Sequence, residues 1–409
     1  MSPARLPTFP VVLAGFAAFL DLYATQPLMP LLARTFDASA SQVGLTITAP
    51  TIAVALAAPA VGKWADHFGL RRTILAAAIA LTVTTALAAT ASTLEQLIVW
   101  RFLQGVVTPG IFASTIAYIH EVWPASRAGR GTAAYMSGTV VGGFTGRAVA
   151  GVVAADATWH HSFLALAVLN GIVAIALWLA LPNEKDAHAR LKPSRSNCTQ
   201  STEREGFRRA SGAGHLFRNR RLLATFGVGF CLLFTQVAMF TYVTFLLAAP
   251  PFSLSTVALG WLFVVYLVGA IVTPFSGVWV DRYGHRAGLA AAMAIGGAGA
   301  LLTLLSSLTA IVIGLALCAT GVFVAQATTS GYIGAVTARD RGLAVGMYST
   351  FYYGGGSAGA ALPGLVWSRG GWPACVALVV IVQAIGTVIS MTQWTPAEAP
   401  PVAEAFPPP

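Results

Sequence analysis

Three ionisable side chains stand inside otherwise apolar stretches of this 409-residue chain, and they hold most of its chemical content. Asp21 follows Phe16-Ala17-Ala18-Phe19-Leu20, Arg101 follows Leu97-Ile98-Val99-Trp100, and Arg147 ends the glycine-rich run Gly142-Gly143-Phe144-Thr145-Gly146. A carboxyl set in low dielectric beside a guanidinium can take up and release a proton while the guanidinium changes partners, which is the chemistry of a proton relay. The competing reading is a charge pair that locks helices together, because an unpaired charge there costs at least ~2.5–3.5 kcal/mol and seeks a partner. Asp21 is the one acid within an apolar run, so proton coupling through an interior acid falls on it, with Arg101 as its switchable partner. Arg147 either attracts an anionic group or hydrogen-bonds neighbouring backbone.

No other catalytic pattern is present. Cys198, Cys231, Cys318 and Cys375 are widely spaced and form no CxxC or Cys/His cluster, which argues against a disulfide framework or a bound metal. No GxxxxGK[ST], HExxH or GxSxG sequence occurs, so ATP drive and hydrolytic chemistry are not expected. The chain reads as a non-enzyme without cofactors, using a proton gradient as its energy source.

The elements that must hold these groups follow from composition. Only 9% of residues are charged, against about 25% in soluble domains. Apolar residues make up 56%, and the mean hydropathy is +0.73. That excludes a soluble enzyme, a disordered protein and a nucleic-acid-binding domain, and it leaves an all-α membrane protein. Crossing a ~30 Å hydrocarbon core takes about 20 apolar residues. Twelve such stretches lie at 11–33, 43–62, 73–92, 95–119, 131–154, 162–181, 222–247, 256–280, 288–307, 309–333, 343–367 and 373–394. They are numbered here as spans 1 to 12. At ~1.5 Å per residue, Asp21 lies about 15 Å from the N-terminal face of span 1. Arg101 and Arg147 each lie roughly 9 Å from the opposite face, so the three are within side-chain reach in depth if their helices adjoin.

Twelve spans put both termini on one side. Of the 24 Lys and Arg residues, twenty fall in the loops and termini of that side, ten of them in 182–221. Only Arg34 and Arg369 fall in the opposite loops, and Arg101 and Arg147 lie within spans. This bias predicts cytoplasmic termini in a bacterial inner membrane, and it accounts for the net charge of +10 without nucleic acid.

The segment 182–221 divides the chain into an N-terminal six-helix bundle (1–181) and a C-terminal one (222–394). It reads as a cytoplasmic linker, and 395–409 as a disordered Pro-rich tail. The halves repeat. Gly62-Lys63-Trp64-Ala65-Asp66-His67-Phe68-Gly69-Leu70-Arg71 returns 215 residues later as Gly277-Val278-Trp279-Val280-Asp281-Arg282-Tyr283-Gly284-His285-Arg286, with Gly, Trp, Asp, Gly and Arg identical. Tyr135, Gly142, Gly143, Gly146 and Gly151 of span 5 align on Tyr348, Gly355, Gly356, Gly359 and Gly364 of span 11 at an offset of 213. A repeated six-helix unit is typical of carriers with a site at the repeat interface.

These residues resemble the major facilitator superfamily over nearly the whole chain. The repeated loop is similar to that family's motif A, G-x-L-A-D-R-x-G-R-K. Leu97-x3-Arg101-x2-Gln104-Gly105 resembles motif B, and Leu20-Asp21 with Pro30 resembles the span 1 motif of drug/proton antiporters. Gly138-x3-Gly142-Gly143-x2-Gly146-Arg147 is similar to antiporter motif C, with Gly143 in place of its Pro and Arg147 in place of its last Gly. The variant most resembles the acriflavine-sensitivity branch of bacterial efflux proteins. The resemblance implies two pseudo-symmetric bundles rocking as a proton-coupled exporter of small molecules. It also implies that Gly62, Asp66, Gly69 and Arg71, with Asp281, Arg282, Gly284 and Arg286, form a conformational latch between the halves. Without the resemblance, the same residues read as acidic caps and basic anchors that set topology.

Polar and amphipathic residues deep in the spans are the candidate liners of a substrate cavity. In the first half these are Gln26, Gln104 and Arg147. In the second they are Gln236, Phe240, Tyr242, Gln326, Tyr352 and Tyr353. Singly, each reads as interhelical glue; as a set, they suit a mostly apolar pocket with a few polar handles. The expected partners are a small-molecule substrate and the lipid bilayer, with no nucleic acid and a monomeric chain. A proton-coupled importer of a sugar or organic acid is the alternative, and a membrane receptor or enzyme a more distant one.

Overall fold

The computed structural model describes residues 8–182, 218–337 and 341–394. The expected linker and tail lie almost wholly outside them. Among the described residues the chain is helical without a strand, and it forms twelve spans. Polar side chains start several of them where the apolar runs begin. Ser39 and Gln42 form a reciprocal cap at the head of Ala40–Phe68, which is span 2. Thr93 accepts from the Gln96 amide at Leu94–Val122 (span 4), and Asn219 from two amides at Arg220–Ala248 (span 7). The helices overrun the apolar limits by several residues at many ends, because helix hydrogen bonding continues after the side chains turn polar.

The two copies of the repeated loop turn through positive φ at the same glycine. Span 2 passes into Leu70–Ala88 (span 3) at Gly69, with φ 88° and ψ 148°. Span 8 passes into span 9 within the helical stretch Val265–Leu302 at Gly284, with φ 83° and ψ 160°. These are the second glycines of the repeated loop, and a side chain at either position would be strained.

Span 1 is not one helix. Thr8–Leu20 is α-helical, Asp21–Thr25 is a turn, Gln26–Leu28 is a 3-10 turn, and Met29–Thr35 is α-helical again. Pro27 and Pro30 lack the amides that would bond to the Tyr23 and Gln26 carbonyls, and three-residue spacings replace them, such as Gln26 N–H to the Tyr23 carbonyl at 3.0 Å. Span 8 is interrupted in the same way between Thr256–Leu262 and Val265.

Each half is built on a close crossing. Span 5 (Ala125–Asp156) lies on span 1, and a Cβ added at Gly142 or Gly146 would run into the carbonyls of Phe16 and Leu20. Span 11, the first part of the stretch Arg341–Gln393, lies on span 7 in the same way, with Gly355 and Gly359 against Phe230 and Phe234. Spans 2, 3, 4 and 6 complete the first bundle. Span 6 is Trp159–Ala180.

The halves meet at the end of the molecule away from the linker. Span 2 crosses span 11 there, with Ser357 Oγ donating to Thr51 Oγ1 at 2.9 Å and Gly44 against the Ala360 carbonyl. Span 5 crosses span 8 with Gly151 against Thr256 and Gly260, and Phe144 meets the ring of Trp261 at 5.6 Å. Further cross-half contacts lie in this far half and at mid-depth, where Phe112 meets Tyr353 at 5.9 Å. Large apolar side chains such as Leu56, Leu179, Ile271 and Phe275 face outward, as a bilayer-embedded surface requires.

Candidate functional site

Asp21 begins the break in span 1, and its side chain turns into the first bundle rather than toward the line between the halves. Its Oδ2 accepts from Thr85 Oγ1 of span 3 at 2.6 Å and from Asn170 Nδ2 of span 6 at 2.7 Å. Its Oδ1 is buried and has no hydrogen-bond partner. Among the described residues it is the one buried acid.

Arg101 does not bond to that carboxylate. Its Nη1 donates to the backbone carbonyl of Asp21 at 2.8 Å and to Gln104 Oε1 at 2.6 Å. Nη2 donates to the Leu22 carbonyl at 2.6 Å, and Nε to the Thr46 carbonyl of span 2 at 3.0 Å. The guanidinium thus satisfies carbonyls that the break in span 1 leaves without helical amides. A loop of contacts closes through Gln104 Nε2, which donates to Thr85 Oγ1 at 2.8 Å. Arg101 reaches the Asp21 carboxyl only through Gln104 and Thr85, not directly as the sequence led us to expect.

Arg147 is held differently. Its Nε donates to Gln26 Oε1 at 2.7 Å and its Nη1 to the Gly143 carbonyl at 2.6 Å. The guanidinium carbon sits 5.0 Å from the ring centre of Tyr23, 4.8 Å from that of Phe263 and 5.1 Å from that of Tyr266. These rings come from the interruptions of spans 1 and 8, so the cage draws on both halves. Gln26 Nε2 extends the contact to Thr241 Oγ1 of span 7 at 3.0 Å.

Below this cage, toward the linker, tyrosines line the wall of the second half. Tyr348 stacks on Tyr352 at 5.7 Å, Tyr352 meets Tyr353 edge-on at 5.6 Å, and the Tyr352 hydroxyl donates to Gln326 at 2.9 Å. Tyr23 and Tyr135 of the first half lie within electrostatic range of Tyr353. The hydroxyls of Tyr23, Tyr135 and Tyr348 are buried without partners.

The structure therefore gathers Gln26, Arg147, Gln326, Tyr352 and Tyr353 around the line between the halves, and brings Gln236 to Tyr266. It places three other candidates elsewhere. Gln104 belongs to the Arg101 network inside the first bundle. Phe240 is core of the second bundle, 4.4 Å from the Tyr266 ring centre. Tyr242 donates to the Ala360 carbonyl at 2.7 Å, in the far-end packing. Sequence reading missed Thr85, Asn170, Tyr23, Thr241, Phe263 and Tyr266. Asn170 carried a signal, being the one asparagine inside a span.

In the repeated loops, each final arginine ties down the last helix of its own half. Arg71 donates from Nε to the Leu181 carbonyl at 2.7 Å and from Nη2 to that of Trp178 at 3.0 Å, at the end of span 6. Arg286 donates to the Met391 carbonyl at the end of span 12. Cations at helix C-termini are favourable. Arg282 lies over the ring of Tyr283 at 5.4 Å. The surroundings of Gly62, Asp66 and Asp281 lie outside the described residues.

A family model described as Major Facilitator Superfamily matches residues 11–250 and 243–408. The chain is 30% identical over 383 residues to the uncharacterized MFS-type transporter YybF of Bacillus subtilis (strain 168), covering 94% of this chain and 92% of that relative. It is 27% identical over 376 residues to the inner membrane transport protein YnfM of Escherichia coli (strain K12), covering 92% and 87%. A crystal structure of a bacterial homologue of the human lysosomal transporter Spinster, inward-facing and unoccupied, matches with a TM-score of 0.72 at 18% identity, covering 96% of this chain and 98% of that one. At that identity the likeness speaks for the fold alone.

Proposed function

The chain belongs to the Major Facilitator Superfamily and is a multi-pass membrane transporter, and from that premise we propose that it exports small amphipathic molecules in exchange for protons by alternating access. The basic residues of the linker end assign that end, with both termini, to the cytoplasm of a bacterial inner membrane. Among the described residues, the cross-half contacts at the far end and at mid-depth support reading this state as closed to the outside and open to the cytoplasm, the state in which an exporter loads.

The observation that carries the coupling is the Asp21 carboxyl, a lone buried acid with one oxygen unpartnered, set on the break in span 1. The proton is held on Oδ1. The carboxyl, shut away from water in this state, takes this proton from the outside when the carrier faces outward and gives it up to the cytoplasm before substrate leaves, so that proton entry is exchanged for export. Directly after the turn, at Gln26, lies the cross-half chain from Arg147 through Gln26 to Thr241. Loss of that proton tightens the hold of Oδ2 on Thr85 and Asn170, so the turn at Asp21–Thr25 shifts and Gln26 releases Thr241. A local charge change thereby biases a two-state element.

The test is transport in everted membrane vesicles with and without an uncoupler. Asp21→Asn is expected to lose the response to the pH gradient while keeping substrate counterflow. Gradient-driven transport at the wild-type rate in that variant would remove Asp21 from the mechanism.

A further inference from the structure

Arg101 and Arg147 are both buried cations, yet only one has capacity left to bind anything. Arg101 is 0% exposed, and all three of its guanidinium nitrogens are committed to oxygen acceptors. Arg147 is 5% exposed and commits only Nε and Nη1. Among the described residues its Nη2 donates no hydrogen bond, and it is not among the fully enclosed atoms. The rings of Tyr23, Phe263 and Tyr266 surround the guanidinium at 4.8 to 5.1 Å and bring no negative charge to it. No described carboxylate lies within ion-pair distance of it, and the nearest interior acid, Asp21, is turned toward Thr85 and Asn170. The result is a fixed positive charge without a counter-ion, with two N–H bonds directed to the line between the halves.

We propose that the transported substrate is an aromatic organic anion, a carboxylate or sulfonate on one or two rings, whose acidic group docks on the free edge of Arg147. This rests on the carrier reading above and names the substrate class of that same site. Planar guanidinium and carboxylate match in geometry, and an anion supplies the charge compensation that the site lacks. A lipophilic cation would meet the same charge with no acid to offset it. The unpartnered Tyr23 hydroxyl, beside Arg147, gives a second donor to the acidic group. The rings of Tyr352 and Tyr353 give the apolar body of the substrate an aromatic surface.

The experiment compares two probes of one shape, 1-naphthoate and 1-naphthamide, with tetraphenylphosphonium as a bulkier cationic control, on the purified full chain in lipid nanodiscs, by calorimetry. Naphthoate is expected to bind saturably and at least about tenfold more tightly than naphthamide. Arg147→Gln should weaken naphthoate about 10- to 100-fold and leave naphthamide within threefold, roughly abolishing the preference, and Arg147→Lys should restore part of it. Tyr23→Phe should weaken naphthoate by roughly threefold to tenfold with the cage intact, which keeps the idea testable if the Arg147 variants fail to fold. Equal binding of naphthoate and naphthamide, tighter binding of tetraphenylphosphonium, or no binding of naphthoate overturns the proposal. Uncoupler-sensitive transport of another compound in vesicles would then leave the exporter reading standing, whereas absence of any gradient-driven transport would end that reading separately.

Discussion

The crossing of spans 1 and 5 and the crossing of spans 7 and 11 are the same piece of backbone made twice. Gly142 and Gly146 meet Phe16 and Leu20, and Gly355 and Gly359 meet Phe230 and Phe234, with offsets of 213 on one helix and 214 on the other. The chemistry placed on them differs. Asp21 corresponds to Thr235, whose buried hydroxyl has no partner, and Arg147 corresponds to Ala360. Arg101 corresponds to the apolar surroundings of Leu315. The duplicated glycines maintain a contact that both halves need in order to rock. The ionisable groups are concentrated in one half, while the other presents tyrosines and glutamines. Scaffold and chemistry are thus separable on this chain, and the comparison can be broken in order of effect.

The shared crossing should fail equally in both halves. Gly146→Val and Gly359→Val each force a branched side chain into a backbone carbonyl, at a cost of about 4 kcal/mol or more. Both should yield little monodisperse protein after purification, and tolerance of either one would show that the crossings are not equivalent. The next effect belongs to the first half alone. Arg101→Met strips donors from the carbonyls of Asp21, Leu22 and Thr46 and should cost about 3 kcal/mol, read as a fall in melting temperature in detergent. Its counterpart test is Thr235→Val, which removes a hydroxyl without a hydrogen-bond partner and should leave the stability, read from the same melting curve, within about 0.5 kcal/mol of wild type. Between these lie Arg71→Gln and Arg286→Gln. Each loses a cation at a half-exposed helix end, and each should cost roughly 0.5–1 kcal/mol. A much larger loss of transport than of stability in either would restore the expected latch between the halves.

Much of this architecture was legible beforehand. Long apolar runs fix spans because a bilayer leaves the backbone no other way to satisfy its amides and carbonyls. The repeated Gly-Trp-Asp-Gly-Arg loop marked two of the positions where φ turns positive, Gly69 and Gly284. The site was only partly legible. Asp21, Arg101 and Arg147 were identifiable as buried charges of similar depth, but their pairing was not. Asp21 was expected to face Arg101 and instead faces Thr85 and Asn170, because Asp21 opens the turn in span 1 and Arg101 is taken up by the backbone carbonyls of Asp21 and Leu22 there. Phe240 was expected at a cavity and lies in the core, since span 7 is apolar around most of its circumference and carries no stripe to say which side faces the passage.

What the sequence by itself determined is the number of membrane crossings, their duplication, and the presence of one interior acid and two interior cations, all properties that depend on residue type along a line. The tertiary structure decided which way each of those groups points. A helix advances each side chain by about 100° around its axis, and the break in span 1 resets that angle, so the partner of a buried charge is chosen by how neighbouring helices are rotated against it. That rotation closes every donor of Arg101 on backbone oxygen and leaves one edge of Arg147 free between the halves.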